Sequence, residues 1–288
     1  MTKIRIMLQI TIVTAAALIG SPAAQAGKGE ITIGLNNWSE NIAVSNMWKI
    51  LLEERGYDVT LTSAGKAVIY SGVAGGSLDM GLEVWMPKTD KEFYERFQDN
   101  LELHDAWYRG TGLGLVVPDY VDVDSINGLN AHKGEFVRNG KPSIVGIDPG
   151  SALMGLTEKA IRKYDLDFKL IGSSGPGMTA ALDRAITRKK PVVVTLWNPH
   201  WAFADYDLKY LDDPMGVYGK GENILWMTRP DFGRKHPKVL EWMNAWEMND
   251  QQVGSLMGTI RESKTAHAGA KKWIDAHRDL VVDRKSVV

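Results

Sequence analysis

Val192-Val193-Val194-Thr195-Leu196-Trp197-Asn198-Pro199-His200-Trp201 is a short apolar, β-branched run closed by a proline. Such a run reads as a buried strand, and Pro199 ends it just after Trp197. In open α/β sheets, ligands bind beyond the carboxyl ends of the strands. A tryptophan delivered there either caps the core or walls a pocket, and alone it reads as core. Two other stretches end the same way: Thr32-Ile33-Gly34-Leu35-Asn36-Asn37-Trp38, and Leu82-Glu83-Val84-Trp85 followed by Met86-Pro87. Three tryptophans at three strand ends shift the balance toward an aromatic box of Trp38, Trp85 and Trp197.

Working outward, strands are expected at Glu30–Leu35, Tyr57–Leu61 and Leu78–Trp85, alternating with helices that start near Ser39, Lys66 and Lys88. This β-α-β-α-β order predicts a parallel sheet faced by helices. Leu113–Val117, closed by Pro118, is a strand at a plausible crossing into a second lobe. The alternation then restarts: strands at Ile144–Ile147, Phe168–Ile171 and Val192–Leu196, helices at Ser151–Tyr164 and Met178–Arg188. A strand at Ile224–Met227 and three C-terminal helices complete the chain. Two βα runs of similar size predict two α/β lobes: residues 27–115, then 116–205, then a return to the first lobe over 206–288.

The chain begins with Lys3 and Arg5, an apolar run through Ile19, and Ala24-Gln25-Ala26. These are the charged region, hydrophobic region and A-x-A site of a secretory signal peptide, residues 1–26, cleaved before Gly27. The apolar run is shorter than a membrane-spanning helix requires. The 288 residues contain no cysteine, which excludes disulfides and thiolate metal sites and leaves no cysteine at the cleavage site for a lipid anchor. A soluble protein of the Gram-negative periplasm, monomeric, is therefore expected. Lys and Arg number 34 against 35 Asp and Glu, with no basic stripe, so nucleic acid is not an expected partner.

Catalytic signatures are missing. The six histidines fall in no metal-binding spacing. There is no nucleophile elbow, P-loop lysine motif or dinucleotide fingerprint, so neither a metal nor a cofactor is predicted. The run Gly172-Ser173-Ser174-Gly175-Pro176-Gly177 reads as a turn opening a helix. Asp148-Pro149-Gly150-Ser151-Ala152-Leu153-Met154 joins a strand to a helix, and the N–H groups of Ser151, Ala152 and Leu153 sit at the positive end of its dipole. Such an end receives a carboxylate, although Ser151 as a plain N-cap needs no ligand. Three tryptophan faces suit a quaternary ammonium, each contributing about 0.5–2 kcal/mol by cation–π attraction. A cage with a helix N-terminus opposite fits a small zwitterion such as a betaine.

At this point the sequence resembles the substrate-binding proteins of glycine betaine/proline betaine ABC transporters, over essentially the whole mature chain. The motifs that carry the resemblance are Asn37-Trp38-Ser39-Glu40, Val84-Trp85-Met86-Pro87, Gly146-Ile147-Asp148-Pro149-Gly150-Ser151, Trp197-Asn198-Pro199-His200-Trp201 and Tyr206–Pro214. It implies a two-lobed periplasmic-binding-protein fold of type II with the ligand in the cleft, and an inner-membrane ABC permease as partner. It also implies that Trp38, Trp85 and Trp197 enclose the trimethylammonium group, while backbone N–H groups near Ala152 and Leu153 hold the carboxylate. Where some relatives carry a carboxylate-binding histidine, this chain has Asp90. Choline-binding relatives use an acid near the first tryptophan and a tyrosine on the strand entering the second lobe. Here Glu40 lies in the acidic neighbourhood, but the tyrosine's counterpart is Leu113. His200 is expected in a supporting role, and Trp201, Trp226, Trp242, Trp246 and Trp273 in packing. The expected function is capture of glycine betaine, with choline, carnitine or proline betaine as alternatives. A sensory ligand-binding domain or a periplasmic enzyme on the same fold are readings from other classes.

Overall fold

The computed structural model describes residues 28–282, so the expected signal peptide lies outside the described residues. In chain order the first strands are β1 (Glu30–Leu35), β2 (Asp58–Ser63), β3 (Met80–Met86) and β4 (Glu102–Arg109). Next come β5 (Gly112–Pro118), β6 (Val137–Arg138), β7 (Lys141–Val145), β8 (Lys169–Ile171), β9 (Val193–Asn198) and β10 (Leu208–Tyr210), and β11 (Asn223–Thr228) follows. They form two sheets, one ordered β2-β1-β3-β11-β4 and the other β10-β5-β9-β7-β6, with β8 paired to β7.

In the first sheet β1, β2 and β3 run parallel as predicted, but β11 returns antiparallel between β3 and β4. The sheet is therefore mixed, and the second sheet is mixed as well. Side-chain alternation decides what each face buries. On β11, Ile224 and Trp226 join the main core, whereas Leu225 and Met227 face a second cluster with Ile69, Tyr70 and Val73. Helix α1 (Ser39–Glu53) covers the first face and α2 (Lys66–Ala74) the second, backed by α3 (Lys91–Phe97). In the second lobe, α4 (Ala152–Lys163) and α5 (Gly175–Thr187) pack on β9. After the short α6 (Ala202–Asp205), α7 (Phe232–Lys235), α8 (Pro237–Asn244), α9 (Asp250–Arg261) and α10 (Ala266–Ala276) follow, the last two resting on α1.

Strands β4 and β10 have no counterpart in the sequence reading. Both are edge strands, and Glu102-Leu103-His104-Asp105 carries too little apolar alternation to announce one. The crossings between sheets also differ from the expected boundaries. Strand β5 pairs with β9, and β10 pairs with β5. The chain thus leaves the first sheet at residues 110–111 and returns over 211–222, not at 115/116 and 205/206. The two crossing segments are tied together: Gly110 and Thr111 donate their N–H groups to the Glu222 carbonyl at 3.0 and 2.9 Å. The Glu222 N–H returns to Thr111 Oγ1 at 3.0 Å. A Cβ at Gly221 would lie 2.8 Å from the Thr111 carbonyl oxygen, so this close approach requires glycine.

Candidate ligand-binding site

The ends of β3 and β9, the β1–α1 connection and the start of α4 converge on one small cavity. Trp38, Trp85 and Trp197 all line it, so the structure brings the three predicted tryptophans together. Trp38 is the extended N-cap residue of α1, and its carbonyl accepts the Ile42 N–H at 2.8 Å. Its indole N–H reaches Asp148 Oδ2 across the cleft at 3.0 Å. Its ring meets that of Trp197 edge to face, centroids 6.4 Å apart. The peptide bonds Met86–Pro87 and Asn198–Pro199, just beyond two of the tryptophans, are cis.

Asp90 lines the cavity, yet its carboxylate is committed to the protein. Oδ2 accepts the Trp85 N–H at 2.8 Å while the Asp90 N–H returns to the Trp85 carbonyl at 2.9 Å, which closes the turn after β3. The same oxygen lies 2.6 Å from Lys66 Nζ, both side chains being nearly inaccessible. Burial raises the Asp90 pKa and the Lys66 ammonium opposes that rise. An acid that could have repelled a ligand carboxylate is thus neutralised in place. Lys66 also donates to the Glu83 carbonyl, and its ammonium stands 5.1 Å over the Trp38 ring. Glu222 supports the adjoining turn by accepting the Lys88 and Thr89 N–H groups at 2.8 and 3.1 Å.

Glu40, on the first turn of α1, forms part of the cavity wall and is wholly inaccessible. Neither carboxyl oxygen has a hydrogen-bond partner. Its neighbours are Glu83 and the indole N–H of Trp197, which is itself unpaired. Burial, then the charge of Glu83, drives the Glu40 pKa well up. Glu83 accepts the Trp85 indole N–H, and burial pushes it up to about 7 against the pull of Lys66.

The helix N-terminus needs one correction. Ser151 caps α4 through Oγ, which accepts the Met154 N–H at 3.3 Å, but its own N–H is donated to the Asp148 carbonyl at 2.9 Å. Among the three predicted carboxylate donors, that leaves the N–H groups of Ala152 and Leu153, which line the cavity on the first turn, where intrahelical acceptors are lacking. His200 stands outside the cavity wall, edge-on to Trp197 at 4.8 Å. Nδ1 accepts the Ala202 N–H at 3.1 Å, so Nε2 carries the proton and donates to Ser39 Oγ at 3.2 Å. Burial depresses its pKa to about 3, keeping the ring neutral.

Trp201 packs against the core as expected and also bridges the lobes: its indole N–H reaches the same Ser39 Oγ at 3.0 Å, and the Arg261 guanidinium covers its ring at 4.4 Å. The glycine-rich run opens α5 as predicted, with Ser174 as N-cap. At Gly175 a Cβ would lie 2.9 Å from the Asn37 carbonyl oxygen, so here too the lobes touch through glycine. Sequence reasoning missed Lys66 and Glu83. The available signal was Glu83 itself, the one charged residue of the strand Met80–Met86.

Two α/β lobes joined by paired crossings and closed over an aromatic cavity define a type II periplasmic binding protein. Residues 29–276 match the family described as the substrate binding domain of ABC-type glycine betaine transport systems, and the chain belongs to that family. It is 37% identical over 142 residues to the glycine betaine/carnitine transport binding protein GbuC of Listeria monocytogenes, a match covering 48% of this chain and 47% of that protein. Among solved structures, closed lactococcal OpuAC complexed with glycine betaine superposes with a TM-score of 0.81 at 33% identity, covering 89% of this chain and 99% of that one. An ABC-transporter choline binding protein in complex with choline has the same fold, with a TM-score of 0.81 at 22% identity, over 90% of this chain and 92% of that one. No helix among the described residues is long and apolar enough to cross a membrane, and no cluster of His, Cys, Asp or Glu among them could hold a metal ion.

Proposed function

We propose that this protein captures glycine betaine, or a closely related quaternary ammonium solute, in the cleft between its lobes and delivers it to an ABC permease in the inner membrane. The observation that carries this reading is the convergence of Trp38, Trp85 and Trp197 on one small cavity that also meets the start of α4. A quaternary ammonium has no N–H to donate and spreads its charge over its methyl groups, so π faces serve it where hydrogen-bond acceptors do not. The N–H groups of Ala152 and Leu153 supply positive potential for a carboxylate at the other end. Catalysis forms no part of this reading. The protein is taken to act as a monomer exported to the periplasm.

A choline receptor is the second reading, favoured by the buried, unpaired carboxyl of Glu40 on the same wall. Calorimetric titration with glycine betaine and choline side by side separates the two. Tighter binding of betaine is expected; binding of choline alone would replace the betaine assignment, and silence with both would remove the ligand class.

Trp246 provides an internal control. It stacks on Trp107, centroids 4.8 Å apart and planes within 7°, and meets Trp48 edge-on at 5.5 Å, away from the cavity. Trp246→Ala is expected to cost about 3–5 kcal/mol of stability while betaine affinity stays within about twofold, a difference below 0.5 kcal/mol. Loss of binding in a folded W246A protein would show that the sorting of the tryptophans is wrong.

A further inference from the structure

Three carboxyl groups and one ammonium are buried together at the cage: Glu40, Glu83, Asp90 and Lys66. Lys66 and Asp90 neutralise one another at 2.6 Å. That leaves Glu40 from α1 and Glu83 from β3 beside each other, with only the Lys66 ammonium, already paired to Asp90, pulling on Glu83. The polar hydrogens beside them are the indole N–H of Trp85, bonded to Glu83, and the Glu40 backbone N–H and Trp197 indole N–H beside the Glu40 carboxyl. The remaining groups around the cluster do not compensate them. Tyr70, beside Asp90, is held protonated by burial. His200, bonded to Ser39, stays neutral, and Asp148 across the cleft accepts the Trp38 indole N–H. Two carboxylates in contact in a dry site cannot both ionise.

We propose that Glu40 and Glu83 hold a shared proton and act together as the charge selector of the cage. The inference rests on the quaternary ammonium reading above and deepens it. With one proton the pair carries a single negative charge, which a ligand of net charge +1 cancels. With two protons the pair is neutral, the state that a zwitterion carrying its own carboxylate requires. Entry of a cation lacking a carboxylate therefore expels a proton that entry of a zwitterion leaves in place. The proton passes from the carboxyl pair to solvent, and no other bond changes. The two acids titrate as one unit, and burial raises both, Glu83 to about 7.

The sign follows from linkage. Binding that releases a proton strengthens as pH rises, by up to about tenfold per pH unit while the pair is still protonated. The ratio of the choline dissociation constant to that of glycine betaine is thus expected to fall as pH rises from about 5.5 to about 8. Calorimetry of the mature protein in two buffers of different ionisation enthalpy counts the protons. Choline is expected to release more than glycine betaine does, the difference approaching one proton per site. Equal counts for the two ligands, with a ratio indifferent to pH, would overturn the proposal while leaving the receptor reading intact. Failure of both ligands to bind would overturn the receptor reading and the proposal with it. Glu40→Gln keeps the shape of the side chain and removes one of the two acids, so in the folded variant the ratio is expected to lose its pH dependence. A ratio in E40Q that still followed the wild-type curve would also overturn the proposal.

Discussion

Trp197→Ala is expected to weaken glycine betaine binding by well over tenfold, a loss above about 1.4 kcal/mol. Its ring is nearly inaccessible, sits edge-to-face with Trp38 at 6.4 Å and is braced from behind by His200 at 4.8 Å. Truncation removes one cation–π face, about 0.5–2 kcal/mol, and admits water to a wall that kept the cation dry. Trp38→Ala and Trp85→Ala should behave similarly, because each supplies another face of the same cavity. Since Trp197 also belongs to the core, Trp197→Phe is the companion variant: it keeps an aromatic face and should fall between wild type and alanine. Titration calorimetry gives the affinities and thermal unfolding confirms that each variant is folded. Wild-type affinity in all three alanine variants would eliminate the cage.

Lys66→Met is expected to be the most damaging single change to stability at the site, by about 3–5 kcal/mol, because it strands a buried carboxylate. Asp90 is 1% exposed and would keep the Trp85 N–H but no cation as partner. Adding Asp90→Asn should recover much of the loss, since a neutral amide needs no counter-ion. The pH dependence has a definite sign. Without Lys66 the Asp90 pKa rises further above its unfolded value, so the folded state binds the extra proton. The defect should then be smaller near pH 5 than near pH 8, as protonation of Asp90 removes the stranded charge. Unfolding titrations at the two pH values test this, and a loss that is equal at both, with no recovery in the double variant, would contradict the pairing.

Which features were legible in the sequence depends on the range over which they are specified. The cage tryptophans were readable because each stands at a punctuation point: Trp85 and Trp197 lie just before prolines, and Trp38 sits where β1 gives way to α1. The βα alternation was readable from the same local periods. The edge strands β4 and β10 were not, since half of their surface lacks a partner and their sequences are mixed. The crossings were misplaced because a strand's sequence does not state which sheet it joins. Leu115 could pair anywhere, and only the fold sets it against Thr195. Trp201 has the composition of a core residue, and its bridging role depends on Ser39, 162 positions away.

By itself the sequence determined the two-lobed α/β plan and the placing of Trp38, Trp85 and Trp197 at strand ends, because strand and helix periods, prolines and caps act over a few residues. Only the tertiary structure decided the charge balance of the cage. Asp90 is neutral toward a ligand because Lys66 reaches it from α2, and Glu40 is without a counter-ion because Glu83 comes to face it from β3. Charges in a dry interior act through distance and desolvation, and those are fixed by folding rather than by position along the chain.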